Sequence, residues 1–178
     1  MTRIFEAGHI WQVTDQQVDA ASDELATRSS RRWSVDGVIG VGRGGVRSAR
    51  RIAARLALPV YTVHARANRT EAVRSAALAS VEICEPELLE LPALSTYLVV
   101  DDICGSGNTL AAVKEAILAA DKATHVHTVT LCKNAGSAID PDLWAWTVND
   151  WVWFPWEPRP REGHIQQIGT AMIHGRSA

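Results

Sequence analysis

The chain has 178 residues, of which 47% are hydrophobic and 21% charged, with a formal net charge of −2. That length and mix suit one soluble globular domain with a substantial core, and the near-neutral charge gives no general attraction to nucleic acid or to a membrane surface. No apolar run reaches membrane-spanning length, the N-terminus lacks a signal-peptide core, and Cys84, Cys104 and Cys132 have no metal-ligand spacing, so a cytoplasmic home is expected.

Thr14-Asp15-Gln16-Gln17 has the form of a capping box, which opens a helix through about residue 30. Val18, Ala21 and Leu25 give that helix a thin apolar stripe, the mark of a peripheral packing element. Gly37-Val38-Ile39-Gly40-Val41 is a short buried-strand candidate, followed by a loop, Gly42-Arg43-Gly44-Gly45, and a second helix. Val46, Ala49, Ala53 and Leu56 mark its inner face, and Pro59 ends it. Gly40, Gly42 and Gly45 satisfy the dinucleotide fingerprint, but the acid expected about twenty residues later is missing, since the next strand, from Pro59 to Val63, runs into His64. Arg47, Arg50, Arg51 and Arg55 form a solvated or subunit-facing basic face. From His64 to Ser80 the chain carries Arg66, Arg69 and Arg74 with little pattern, and residues 81–95 give one short strand and a Pro-punctuated connection.

The most informative stretch comes next. Leu98-Val99-Val100 leads into Asp101-Asp102, then Ile103 and the small-residue loop Cys104-Gly105-Ser106-Gly107-Asn108. Leu110, Val113 and Ile117 follow at helical spacing, so a helix starts near Thr109. A strand, a small loop and a helix N-terminus in this order gather backbone N–H groups that suit a phosphate. The two carboxylates stand on the rim, where sugar hydroxyls or a metal-bound diphosphate would sit.

His125 to Leu131 alternates into a further strand that ends at Cys132-Lys133-Asn134. His125 and His127 share a face but lack the further ligands a metal site needs. Five of the seven tryptophans then fall between Trp144 and Trp156. Beyond Pro160 the tail is polar, with a terminal helix expected near Ile165 to Met172. Strands alternating with helices predict an α/β fold, an open and mainly parallel five-stranded sheet flanked by helices, with ligands at the strands' carboxyl ends.

The central stretch resembles the diphosphate-sugar signature of the type I phosphoribosyltransferases, and the Asp101-Asp102 pair with Ser106-Gly107-Asn108-Thr109 carries the match. Arg43 with its glycines is similar to the pyrophosphate loop of the xanthine/guanine-type members. Trp151-Val152-Trp153-Phe154-Pro155-Trp156-Glu157, with Lys133 about eighteen residues upstream, is similar to their base pocket. The resemblance spans roughly residues 35 to 157. It implies one domain over 1–178, with a sheet core at 35–145 holding phosphoribosyl diphosphate and a small C-terminal hood at 146–160 over the base.

The resemblance also implies roles. Gly42, Arg43, Gly44 and Gly45 would bind pyrophosphate, with a non-proline cis peptide at Gly42-Arg43. Cys104, Gly105, Ser106, Gly107, Asn108 and Thr109 would hold the 5-phosphate. Asp101 and Asp102 would hold the ribose hydroxyls or a Mg²⁺ shell and, with Arg43, carry catalysis. Lys133, Trp151, Val152, Glu157 and Gly105 would meet the base: Lys133 its exocyclic oxygen, Trp151 its face, Val152 its Watson–Crick edge, Glu157 a 2-amino group. Trp144, Trp146 and Trp156 fall to packing. Arg66 and Arg69 are candidates for a loop that closes over the diphosphate. A homo-oligomer is expected, with phosphoribosyl diphosphate and a nucleobase as partners and neither nucleic acid nor membrane.

One position departs from the pattern. Where purine-using members carry an aspartate facing N7, this chain has Gly105, and loss of a general base typically costs about 10²–10⁴-fold. Another group takes the proton, or the protein is a weak or regulatory homologue, or the acceptor has no N7. A 7-substituted 7-deazaguanine, such as 7-cyano-7-deazaguanine, would need the room a glycine leaves. Guanine, xanthine or hypoxanthine stays open beside it. So do a non-purine acceptor and a non-catalytic homologue that binds phosphoribosyl diphosphate.

Overall fold

The structure, a computed structural model, describes residues 5, 6, 8–67 and 81–176. Its elements in order are β1 (Ile10–Gln12), α1 (Asp15–Arg32), β2 (Gly37–Val41), α2 (Gly42–Leu56), β3 (Val60–Val63), β4 (Ala65–Ala67), β5 (Val81–Ile83) and α3 (Glu85–Leu89). They continue with β6 (Leu94–Cys104), α4 (Asn108–Ala119), β7 (Ala123–Asn134), β8 (Leu143–Val148), β9 (Trp151–Trp153), β10 (Ile165–Gln167) and β11 (His174–Gly175).

The main sheet has the order β11-β8-β7-β6-β2-β3. Its five strands from β8 to β3 are parallel, as expected, and the two-residue β11 adds an antiparallel edge beside β8. Apolar runs buried on both faces are the signature of such a sheet, and β2 is buried at all five positions. Alternate residues feed two cores. Val38, Leu98, Val100, Val129 and Leu131 pack with Ala49, Ile52 and Ala53 of α2 and with Val18, Ala21 and Leu25 of α1. Ile39, Val41, Tyr97 and Val99 pack on the other face with Leu110, Val113 and Ile117 of α4. Each of the larger buried aliphatic side chains contributes about 1.5–3 kcal/mol relative to exposure.

The capping box at α1 forms as expected, with the Gln17 N–H donating to Thr14 Oγ1 at 3.2 Å and the Thr14 N–H to Gln17 Oε1 at 3.0 Å. α2 stops at Leu56 because Ala57 turns into the left-handed region at φ 55°. The basic face of α2 is tied to α1, through Arg47 to Asp15 at 2.5 Å and Arg51 to Asp23 at 2.7 Å.

Two expectations about the ends need correction. No terminal helix forms near Ile165 to Met172. Residues 165–167 are β10 instead, paired in parallel with β1, and the Ile168 N–H donates to Gln12's carbonyl at 2.9 Å. Ile168 is 7% exposed, so strand pairing and burial override the helical spacing of the apolar residues. The hood, a three-stranded sheet of order β10-β1-β9, is likewise not confined to 146–160. Its central strand comes from the N-terminal end of the chain, and the main sheet runs past residue 145 to Val148.

Candidate active site

The chain leaves β2 towards β3 and later returns to β6 on β2's other side. Strand order reverses there, and at such a switch point the connections diverge and leave a crevice beyond the carboxyl ends. Two helices begin at this crevice. α2 starts directly after Val41 and α4 directly after Gly107, and neither N-cap supplies a side-chain hydrogen bond. First-turn N–H groups and the positive ends of two helix dipoles thus meet one space, an arrangement suited to anionic oxygens.

Gly42, Arg43, Gly44 and Gly45 form the first turn of α2 rather than a separate loop. Arg43 is exposed and lines a groove of about 670 Å³ with Gly42, His64, Ala65 and Glu82. The expected cis bond is absent. All peptide bonds among the described residues are trans, and the sharp entry into the helix is made by Gly42 at φ 57°. A Cβ on Gly44 would stand 1.7 Å from Asp102 Oδ2, so only glycine lets this turn meet the carboxylate at the end of β6.

Asp101 and Asp102 sit half-buried near the end of β6, and the Asp102 N–H donates to Asp101 Oδ1 at 2.9 Å. Burial above all, with the charge of Glu157, pushes the Asp102 carboxyl above the usual carboxylate range against the pull of its hydrogen bond with Asp101. Beyond the acids, Gly105, Ser106 and Gly107 turn the chain into α4, and the Asn108 N–H points to Ser106 Oγ at 3.4 Å. Gly107 has φ 90° and lies against Ile139, whose carbonyl oxygen would be 2.4 Å from an added Cβ. The Cys104 thiol is buried and turns to Ser137 Oγ and the Ile139 carbonyl, both at 3.3 Å.

A cavity of about 100 Å³ opens beside this motif, with room for several water molecules. Asp102, Ile103 and Gly105 form one wall, and Asp150, Trp151, Val152, Phe154 and Glu157 of the hood another, with Phe5 and Asn134 completing it. Four of the five expected base-contacting residues therefore share this cavity. Trp151 is 48% exposed, and its ring stacks against Phe5 at 6.3 Å between centroids. β9 is an edge strand of the hood sheet. The Val13 N–H donates to Trp153's carbonyl at 3.0 Å, so alternation along the strand turns the backbone groups of Val152 to the open edge. Glu157 Oε2 accepts from the Phe154 N–H at 3.3 Å. Trp144 and Trp146 are buried, and Trp156 stacks on Phe154 at 4.8 Å, so these three do pack.

Lys133 is the exception among the expected base-contacting residues. Its neighbour Asn134 lines the cavity, and successive strand residues face opposite sides. Lys133 Nζ instead lies 2.6 Å from Asp140 Oδ1 and 4.7 Å from the centre of the Trp144 ring. Arg66 falls in β4, in register with Glu82 of β5, and Arg69 lies outside the described residues.

Phe5, Asn134 and Asp150 are residues that pattern reading missed. Asp150 is 4% exposed, and its Oδ2 accepts from the N–H groups of Gly8 at 3.1 Å and His9 at 3.3 Å, which ties the N-terminal segment to the hood. An acid directly before the tryptophan segment was the one available signal for it. Phe5 offered none.

The phosphoribosyl transferase domain family matches residues 10–162 of the chain. No curated protein sequence matches it. Among solved structures, it is similar to a purine phosphoribosyltransferase from Pyrococcus horikoshii Ot3, with a TM-score of 0.68 and 26% identity over 84% of this chain and 95% of that one. It is also similar to a xanthine-guanine-hypoxanthine phosphoribosyltransferase from Helicobacter pylori, with a TM-score of 0.68 and 21% identity over 84% of this chain and 93% of that one.

Proposed function

The chain belongs to the type I phosphoribosyltransferases, and from that premise we propose that it transfers ribose 5-phosphate from phosphoribosyl diphosphate to a 6-oxopurine-like base, releasing pyrophosphate. The observation that carries the reading is one shared wall. Asp102 touches Gly44 of the first α2 turn and also lines the cavity that holds Gly105, Trp151 and Glu157. A donor bound along the two helix starts would therefore present its anomeric carbon to a base held under the hood.

In this reading Arg43 and the first-turn N–H groups of α2 take the pyrophosphate, and Ser106 to Thr109 take the 5-phosphate. Preorganised donors aimed at charge that grows on a leaving group are among the largest contributions to catalysis. The bond from the anomeric carbon to pyrophosphate breaks as the ring nitrogen attacks, and the nitrogen's proton leaves to a base or to solvent. Asp101 and Asp102 would hold the ribose hydroxyls or the metal shell.

The donor set suits Mg²⁺. Among the described residues no group of three or more His, Cys, Asp and Glu side chains forms a metal cage. Mg²⁺ keeps several waters and takes one or two carboxylates together with substrate phosphates, which two adjacent aspartates would provide. When bound, the ion supplies positive charge against the departing pyrophosphate.

Trp151 stacks on the base, Val152 offers its open-edge backbone groups to the Watson–Crick edge, and Glu157 accepts from a 2-amino group. Gly105 faces the ring's position 7. With no side chain at Gly105 in the cavity wall, the acceptor is either one that carries a substituent there, a 7-substituted 7-deazaguanine such as 7-cyano-7-deazaguanine, or guanine, xanthine or hypoxanthine. A pyrophosphate-release screen with phosphoribosyl diphosphate, Mg²⁺ and a panel of bases tests the proposal. Release with 6-oxo, 2-amino rings is expected. Donor binding without release for any base would instead identify a non-catalytic homologue, and release only with non-purine acceptors would overturn the base assignment.

A further inference from the structure

The connection between β7 and β8 does more than link two strands. It is pinned at its start, where the Gly136 N–H donates to Asn134 Oδ1 at 2.9 Å, and at its end, where Asp142 Oδ2 accepts from the Thr128 N–H at 2.8 Å. Its middle lies on the loop that follows the acid pair. The Ile139 N–H points to the Ser106 carbonyl at 3.4 Å, and the Ile139 carbonyl accepts from Ser137 Oγ at 2.8 Å and faces Cys104 Sγ at 3.3 Å. That carbonyl also packs where Gly107 has no side chain. The next residue, Asp140, is the one that Lys133 grips.

We propose that Lys133 is a positioning residue for the phosphate loop, acting through Asp140 and Ile139, and does not read the base. The inference rests on the reading of residues 105–109 as the seat of the sugar 5-phosphate. Lys133 stands at the end of β7, a rigid strand, and its side chain is 13% exposed, wedged between Asp140 and the Trp144 ring. The lysine end of this ion pair is shielded while Asp140 is 36% exposed, so removing Asp140 leaves the Lys133 charge without its partner. The pair holds residues 139 and 140 in place, and Ile139 in turn supports Ser106 and Gly107. This contact is available only because Gly107 is a glycine in the left-handed region.

Steady-state kinetics of Lys133→Met, Asp140→Asn and the double variant separate the two roles. The expected result is a rise of about tenfold in the KM for phosphoribosyl diphosphate in each single variant, with the KM for the base within twofold of wild type. The double variant should lose no more than either single one, as coupled partners do. Lys133→Arg should recover most of the donor affinity. A raised base KM with an intact donor KM, or a silent Asp140→Asn, would overturn the proposal and return Lys133 to the base. Thermal unfolding checks that each variant folds. If wild type releases no pyrophosphate with any base, the enzymatic reading fails separately, and calorimetric binding of phosphoribosyl diphosphate to the same variants still decides this one: weaker binding upholds it, and unchanged binding overturns it.

Discussion

The donor side and the acceptor side of the site are assembled in different ways. Asp101 to Thr109 is a single uninterrupted stretch at the end of β6, and its partner, the first turn of α2, leaves the neighbouring strand. The acceptor side is stitched from distant places, with Phe5 at one end of the chain, Asn134 at the end of β7 and Asp150 to Glu157 in the hood. Strand ends in a parallel sheet are held by both neighbours, whereas β9 has one neighbour only. On the proposed reading, recognition of a constant donor would thus lie on the rigid part, and recognition of a variable base on a small appended sheet. Binding and catalytic residues on connections held by a rigid scaffold follow the same logic.

If the two sides are separable, substitutions should sort by substrate. Asp102 stands on their shared wall, so Asp102→Asn should break the separation and lower kcat/KM by about 10²–10³-fold for every base. Full turnover in that variant would remove the acid pair from the reaction. Trp151→Ala should raise the KM for the base by roughly 5- to 150-fold, the equivalent of about 1–3 kcal/mol of lost stacking, and leave the donor KM unchanged. Gly44→Ala should also act on both sides, since its methyl group would displace the Asp102 carboxylate of the shared wall. The donor KM is expected to rise about tenfold, with lower turnover for every base. A rise in both constants for Trp151→Ala would show that the sides act as one.

The same division explains what could be read from the chain before its structure. The parallel sheet, α4 and the phosphate-loop geometry follow from local signals: apolar runs buried on both faces, glycines at fixed places and helical spacing after Thr109. The hood does not. β1 is only Ile10-Trp11-Gln12, too short for any periodicity, and it becomes a strand because β9 and β10 flank it. Ile165, Ile168 and Met172 mimic a helical stripe, yet the first of them pairs with Ile10. Lys133 and Asn134 show the limit most sharply. Motif likeness favoured the lysine, but a strand sends adjacent side chains to opposite faces, and the cavity received the asparagine.

Gly105 belongs to the donor motif by sequence and to the acceptor cavity by position, so it tests the whole account. The measurement is the ratio of kcat/KM for 7-cyano-7-deazaguanine to that for guanine, in wild type and in Gly105→Asp. The 7-substituted acceptor predicts a ratio above one in wild type that falls below one when the aspartate fills the space beside position 7. A wild-type preference for guanine, or a ratio that Gly105→Asp leaves unchanged, would contradict it.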